Sequence, residues 1–429
     1  MSETTITSVK GRRVWDSRGR PTVEAEVQLA GGATGLAIAP AGASRGSREA
    51  IDLRDGGGAL GGFGVQRAVA NVNGALAACL LGMDATLQKD IDQALLGADG
   101  TPNKARLGGN ATIAVSMAVL HAAAAAARQP LFAYLAQGRP VRIPLPEIQI
   151  FGGGAHAGRR IDIQDLMVMA LGANSFDEAL VMTAEVYRAA GDVMRERGTL
   201  YGLADEGGYW PAFDNNEQAL DALLRSIEKA GFRPGEEIAI SLDIAASEFG
   251  GNGRYHLGLD KRELDSDSMI EMLVSWMERY PIVSIEDPLA EDDVQGMIHF
   301  TREAGQRVQI IGDDYLVTNA ALVKQAATDN ACNAVLIKPN QAGTITETLA
   351  AMEAAREAGF ATIVSARSGE TEDVTICHLA TGWDAGQLKV GSFARSERMA
   401  KWNEMLRIEE SLGRGARFAG KQSLGGIRW

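Results

Sequence analysis

Several charged residues in the second half of the chain stand where short apolar runs stop. Ala239-Ile240-Ser241-Leu242 ends in Asp243, Ile282-Val283-Ser284-Ile285 in Glu286, and Val308-Gln309-Ile310-Ile311-Gly312 in Asp313. Ala334-Val335-Leu336-Ile337 ends in Lys338, Ala361-Thr362-Ile363-Val364-Ser365 precedes Ala366-Arg367-Ser368, and Gln387-Leu388 leads to Lys389. A single acid at a strand end is ordinarily solvated or a cap. Three brought together repel one another unless a cation compensates them. Carboxylate oxygens with no cysteine or histidine nearby form a hard donor set suited to Mg²⁺ or Mn²⁺ rather than zinc. A partly desolvated lysine beside such an ion has a lowered pKa and can act as a base near neutral pH. The ion would withdraw charge from a bound carboxylate and stabilise an enediolate formed next to it. Taken singly, Lys338 or Lys389 is as readily a salt-bridge partner of the acids, and Arg367 a surface arginine. Taken together they suggest a base, a second cation and a fork for phosphate at Arg367-Ser368. Glu206, in the tight stretch Ala204-Asp205-Glu206-Gly207-Gly208, is the natural acid for the opposite side.

The elements that must hold these residues follow from the spacing. The charged ends recur about 25 residues apart after one longer step, the length of a strand, a loop and a covering helix. Apolar runs that end in charge read as buried parallel strands emerging at a rim. The second half is therefore α/β, a (β/α)8 barrel with its chemistry at the C-terminal rim. Upstream, Ile161 to Met169 reads as a strand carrying Asp165, and Ser175 to about Arg197 as a helix. Phe151 to Arg160 is a glycine-rich loop containing His156. The N-terminal half differs. Residues 6–40 read as strands, with Thr22 to Val27 alternating like a half-exposed antiparallel strand. A glycine-rich loop, Pro40 to Glu49, carries hydroxyls and two arginines that could close over an anion. Residues 65–135 read as helical, most clearly the alanine-rich run Ala111 to Ala127. Pro130, Pro140, Pro144 and Pro146 cluster around Gly138 and mark a boundary. This gives an α+β capping domain over 1–138 and the barrel over 139–429. Gly413 to Gly426 is loop-like and basic.

The bulk composition excludes other classes. The chain has 429 residues and 45.4 kDa, with 46% hydrophobic and 23% charged residues, as in soluble globular proteins. A net charge of −13 argues against a nucleic-acid surface, although a local pocket can still be positive. Cys79, Cys332 and Cys377 have no paired spacing, so neither a disulfide frame nor a zinc site is indicated. No signal-like N-terminus and no membrane-spanning run is evident, which makes a reducing cytoplasm and no membrane partner the expectation.

With these residues in view, the chain resembles the enolase family over nearly its whole length. The similar segments are Asp16-Ser17-Arg18-Gly19, Gly42-Ala43-Ser44, Leu107-Gly108-Gly109-Asn110-Ala111, Asp205-Glu206-Gly207-Gly208 and Asp243-Ile244-Ala245-Ala246-Ser247-Glu248-Phe249. They continue with Glu286-Asp287-Pro288, Gly312-Asp313-Asp314, Lys338-Pro339-Asn340-Gln341, Ser368-Gly369-Glu370-Thr371-Glu372-Asp373 and Arg395-Ser396-Glu397-Arg398. The resemblance implies a modified barrel whose second strand is antiparallel, and a homodimer or dimer-based oligomer. It implies that Asp243, Glu286 and Asp313 hold one Mg²⁺ and that Ser44 joins a second. Lys338 would remove the C2 proton of 2-phosphoglycerate, and Glu206, partnered by Asp165, would help the 3-hydroxyl leave. Lys389 would meet the substrate carboxylate, Arg367 and Ser368 its phosphate, and His156 and Gln164 would line the site.

The departures gather on one side. Ala366 stands where the family has His, Asp165 where it has Glu, and Arg45 where it has Thr. The histidine loop has Phe151 and Arg159 in place of Asn, and Pro339 and Ala342 also depart from the usual residues. Metal ligands, both lysines and the phosphate pair are intact, while Arg45 and Arg159 add positive charge near the mouth. This pattern leads to the expectation of a diverged member accepting a further anionic group, such as the carboxyphosphonoenolpyruvate synthase of phosphonate antibiotic pathways. The alternatives are an ordinary phosphopyruvate hydratase and a non-catalytic enolase-like binding protein. Against the last stands the retention of the acids together with both lysines.

Overall fold

Described over residues 2–427, the computed structural model begins with an antiparallel sheet of β1 (Ile6–Trp15), β2 (Pro21–Leu29) and β3 (Thr34–Ile38). The helix Gly109–Ala126 packs on this sheet, and its small side chains allow a close approach. Gly35 of β3 is required there, because a Cβ would lie 2.0 Å from the carbonyl oxygen of Ala118. The half-exposed pattern read for β2 is accordingly not what forms. Glu24 is buried, and Arg12 of β1 pairs with both Glu24 and Glu26. The alanine-rich helix is also the one described helix long and apolar enough to cross a membrane, but 83% of it is buried as core.

The barrel closes from β4 (Leu145–Gly152), β5 (Asp165–Met169), β6 (Ala239–Asp243), β10 (Ile282–Glu286), β11 (Gln309–Gly312), β12 (Ala334–Ile337), β13 (Ala361–Ser365) and β14 (Gly386–Ser392). Between β6 and β10 the chain inserts a small sheet of β7 (Gly250–Gly251), β8 (Arg254–Leu257) and β9 (Arg262–Asp265). β5 runs antiparallel to β4 and β6, and every other neighbouring pair is parallel. Asp243 and Glu286 are the last residues of their strands; Asp313 and Lys338 each follow one immediately. The segment Ile161 to Gln164, read as strand, instead folds back on the histidine loop. Gly153 N–H donates to the Gln164 carbonyl (2.7 Å) and Gly154 N–H to that of Ile161 (3.1 Å).

The helix Phe176–Glu196 begins as its sequence suggests, with Ser175 Oγ accepting from Glu178 N–H at 3.1 Å. Such a cap contributes about 1 kcal/mol. Cap and barrel are tied by polar contacts. Lys104 pairs with Glu347 (2.7 Å), Thr112 Oγ1 donates to the Gly343 carbonyl (2.8 Å), and Asp373 accepts from Ile38 N–H (2.8 Å). The cysteines are all free.

Candidate active site

Strand register places the charged residues before any loop is considered. Asp165 of β5 is opposite Asp243 of β6, which is opposite Glu286 of β10, so three carboxylates share one row at the barrel's C-terminal end. On the far side Ser365 of β13 is opposite Lys389 of β14. Lys389 reaches across the barrel into the acid row. Its Nζ donates to Glu286 (2.8 Å) and Asp243 (2.9 Å) and lies 3.3 Å from Asp165. Lys338 pairs with Asp313, whose other oxygen accepts from Gln341 Nε2 at 2.9 Å. All of these side chains are buried.

Charges packed this closely out of water shift one another. Burial and the neighbouring Asp243 push Glu286 well above the usual carboxylate range, although Lys389 opposes them. Asp313 is held below that range against burial because Lys338 pairs with it. Burial disfavours both ammoniums, yet Asp243 and Glu286 raise Lys389, and Asp313 raises Lys338. Each ammonium is thus favoured by the carboxylates around the place where a cation would sit, and the lowered lysine pKa expected from the sequence belongs to the site with that cation bound.

The second half of the site is carried by loops. His156 shares a hydrogen bond through Nδ1 with Asp165 (3.0 Å) and through Nε2 with Ser368 Oγ (3.1 Å), and Nε2 lies 3.6 Å from Glu206. Burial alone would lower this histidine, but Glu206 and Asp165 raise it to about 9. Gln164 bridges Asp243 (3.1 Å) and Ser44 Oγ (3.4 Å). The guanidinium of Arg367 is cradled where Gly42 has no side chain; a Cβ there would lie 2.0 Å from its Nη2. It is engaged by Glu49 (2.9 Å), Asn340 (3.1 Å) and the Ser44 carbonyl (2.9 Å). The cavity bounded by Ser44, His156, Glu206, Lys338, Ala366 and Lys389 has about 20 Å³ of free volume, room for roughly one water. A ligand must displace existing contacts to bind.

Two expected residues are not brought in. Arg45 is exposed, and Arg159 is exposed and paired with Glu248 at 2.9 Å. Three residues escaped the sequence reading. Glu49 is buried against Arg367; its only signal was an acid within the first glycine-rich loop. Asp287 accepts the backbone N–H groups of Asp313 (2.9 Å) and Asp314 (2.7 Å), fixing the turn that carries the third acid. Arg398 donates to the carbonyls of Arg367 (2.7 Å) and Ser368 (2.5 Å) and so fixes the backbone of that pair.

The donor set suits a divalent cation. Asp243, Glu286 and Asp313 present hard oxygens from three successive strand ends, and the buried Glu286 Oε1 has no hydrogen-bond partner. A buried, unpaired carboxylate oxygen beside like charges is a position that a cation would satisfy.

An eight-stranded barrel with one antiparallel strand, capped by an α+β unit and carrying acids and lysines on its C-terminal rim, defines a carboxylate–lysine enzyme of the barrel class. Residues 6–135 match the enolase N-terminal domain, and residues 140–426 match the enolase C-terminal TIM barrel domain. The chain is 49% identical over 419 residues to Enolase 1 of Desulfitobacterium hafniense (strain Y51), covering 97% of this chain and 96% of that protein. The chain belongs to the enolase family and is an enzyme of the enolase type. These comparisons give no support to the carboxyphosphonoenolpyruvate branch. Similarity across nearly the whole of a protein named as an enolase favours the ordinary hydratase, and the arginines invoked for a further anion lie outside the cluster.

Proposed function

We propose that the protein catalyses the Mg²⁺-dependent, reversible dehydration of 2-phosphoglycerate to phosphoenolpyruvate. The observation that carries this reading is a single pocket lined by Lys338, Lys389, Asp243, Glu206 and His156, with Glu286 paired to Lys389 and Asp313 to Lys338. Asp243, Glu286 and Asp313 would hold the ion, and Ser44 would join a second. When bound, the ion supplies the positive charge that compensates these acids and draws electron density from the substrate carboxylate. Lys338, as the free amine, takes the C2 proton. Glu206 donates a proton to the 3-hydroxyl, the C3–O bond breaks, and water leaves with the oxygen. Lys389 binds the substrate carboxylate, while Arg367 and Ser368 bind the phosphate. His156 and Asp165 hold Glu206 in place through a buried imidazolium, which supports a role for this pair where Ala366 supplies no imidazole.

The test is direct. Purified protein with 2-phosphoglycerate and Mg²⁺ is expected to generate the ultraviolet absorbance of an enol ester at a steady rate that chelation abolishes. Failure to form phosphoenolpyruvate, with the protein folded and Mg²⁺ present, would overturn the proposal.

A further inference from the structure

Behind the loop side of the rim, one neutral side chain touches both Asp165 and the turn that carries Glu206. Gln149 lies in β4, beside Met167 of β5 and Ser392 of β14, and is fully buried. Its Nε2 donates to Asp165 Oδ1, the same oxygen that His156 Nδ1 meets at 3.0 Å, while Asp165 Oδ2 faces Lys389 at 3.3 Å. Its Oε1 accepts from the N–H of Gly208 at 2.9 Å, two residues beyond Glu206. These partners leave the amide one orientation. A backbone N–H can only donate and an ionised carboxylate can only accept, so the oxygen must face Gly208 and the nitrogen Asp165. Residue 208 has to be glycine for this, because a Cβ there would lie 2.4 Å from Gln149 Oε1. The main chain adds a third link: Ser392 Oγ donates to the Gln149 carbonyl (2.5 Å) and Ser392 N–H to that of Glu206 (3.0 Å).

We propose that Gln149 is a positioning residue for Glu206, setting the distance between that acid and the His156–Asp165 pair. Asp165 is anchored on a barrel strand, whereas Glu206 sits in a loop whose place against that strand has to be fixed by contacts. The turn has other pins, with Tyr187 Oη donating to the Gly207 carbonyl (2.8 Å) and Ala204 N–H to that of Gly208 (2.8 Å), so it can stay folded without Gln149. What Gln149 adds is a fixed span, one planar amide sealed from water between strand acid and turn. A displacement of about 1 Å in a reacting group can cost about 10²-fold in rate. The inference rests on the functional reading above for the reaction, in which Lys338 acts at C2 and Glu206 at the 3-hydroxyl. The side-chain hydrogen bonds of Gln149 go to neither lysine and to none of Asp243, Glu286 and Asp313. Its loss is therefore expected to slow departure of the hydroxyl and to spare removal of the C2 proton.

The test separates these two events. In D2O with Mg²⁺, a site that removes the C2 proton of 2-phosphoglycerate and returns a deuteron exchanges that position whether or not the C3–O bond breaks. Gln149→Met, which keeps the length and loses both hydrogen bonds, is expected to slow phosphoenolpyruvate formation about 10- to 100-fold while C2 exchange changes by less than about threefold. Gln149→Glu keeps the acceptor for Gly208 but turns the donor to Asp165 into a second acceptor. It is expected to show the same split, and it decides the matter if the methionine variant does not fold. Both rates falling in equal proportion, or neither changing, would show a merely structural role and overturn the proposal. A second measurement needs no substrate. In the ligand-free protein, Gln149→Met is expected to speed hydrogen exchange of the Gly208 amide about tenfold and to move the His156 ring signals in NMR spectra, with the other β4 amides unaffected. Unchanged Gly208 and His156 signals would overturn the proposal by themselves. Absence of both turnover and C2 exchange in wild type would fail the functional reading and leave this measurement to decide whether Gln149 couples strand and turn.

Discussion

The two halves of the rim are built by different means. The acid row with its lysines stands on neighbouring strand ends, where parallel and antiparallel register fixes each side chain before loops contribute. The Glu206–His156–Asp165 side depends on loops pinned by side-chain contacts, with only Asp165 on a strand. The first half is over-determined, with three carboxylates sharing Lys389 and Asp313 paired with Lys338. The second relies on a single imidazole touching two acids and a serine. On the proposed function, the ion would be held by the rigid half, while the group handling the leaving hydroxyl would rest on the half that loops can retune.

This contrast can be broken in order of effect. Lys338→Ala removes the proposed base and also strips Asp313 of its cation, so kcat is expected to fall by about 10²–10⁴ or more in the phosphoenolpyruvate assay. A smaller loss would move the base elsewhere. Next, Mg²⁺ at about a hundred times its Kd is expected to stabilise wild type by about 2.7 kcal/mol in thermal melts. Glu286→Gln should abolish most of that increment, while Glu206→Gln, on the loop side, should leave it intact.

The loop side has its own pH signature. A histidine whose pKa is higher folded than unfolded contributes stability that is complete below its unfolded value and is lost as pH rises through the folded one. For His156 that window runs from about 6.5 to about 9. Urea denaturation across this window should show wild type losing stability, and Asp165→Asn, lacking one of the charges that raise His156, showing a flatter curve. The smallest effect is expected from Ala366→His. If His156 already serves Glu206, restoring an imidazole should change kcat by less than about threefold, well under the 10²–10⁴ of a missing acid–base group. A large gain would mean the loop side is detuned for water elimination.

Much of this division was legible from residues alone. Asp243, Glu286 and Lys389 could be placed at one rim because apolar runs of strand length end, or nearly end, in them at a barrel's spacing. Period and length are local properties. Asp165 was readable as a strand residue, but not its row with Asp243, since antiparallel pairing is set by partners distant in sequence. Glu49, Arg398 and Asp287 carried no local mark of their roles, because each acts through a contact made only when the cap or a distant loop folds onto the barrel.

The sequence by itself determined the order of elements, the ladder of charge and the family, since these reside in spacing and residue type. Only tertiary structure decided the rest. It left Arg45 and Arg159 exposed and bound Arg367 to Glu49. Those outcomes depend on which charges meet in a space without water, where the interaction of two buried groups outweighs the preference of either alone.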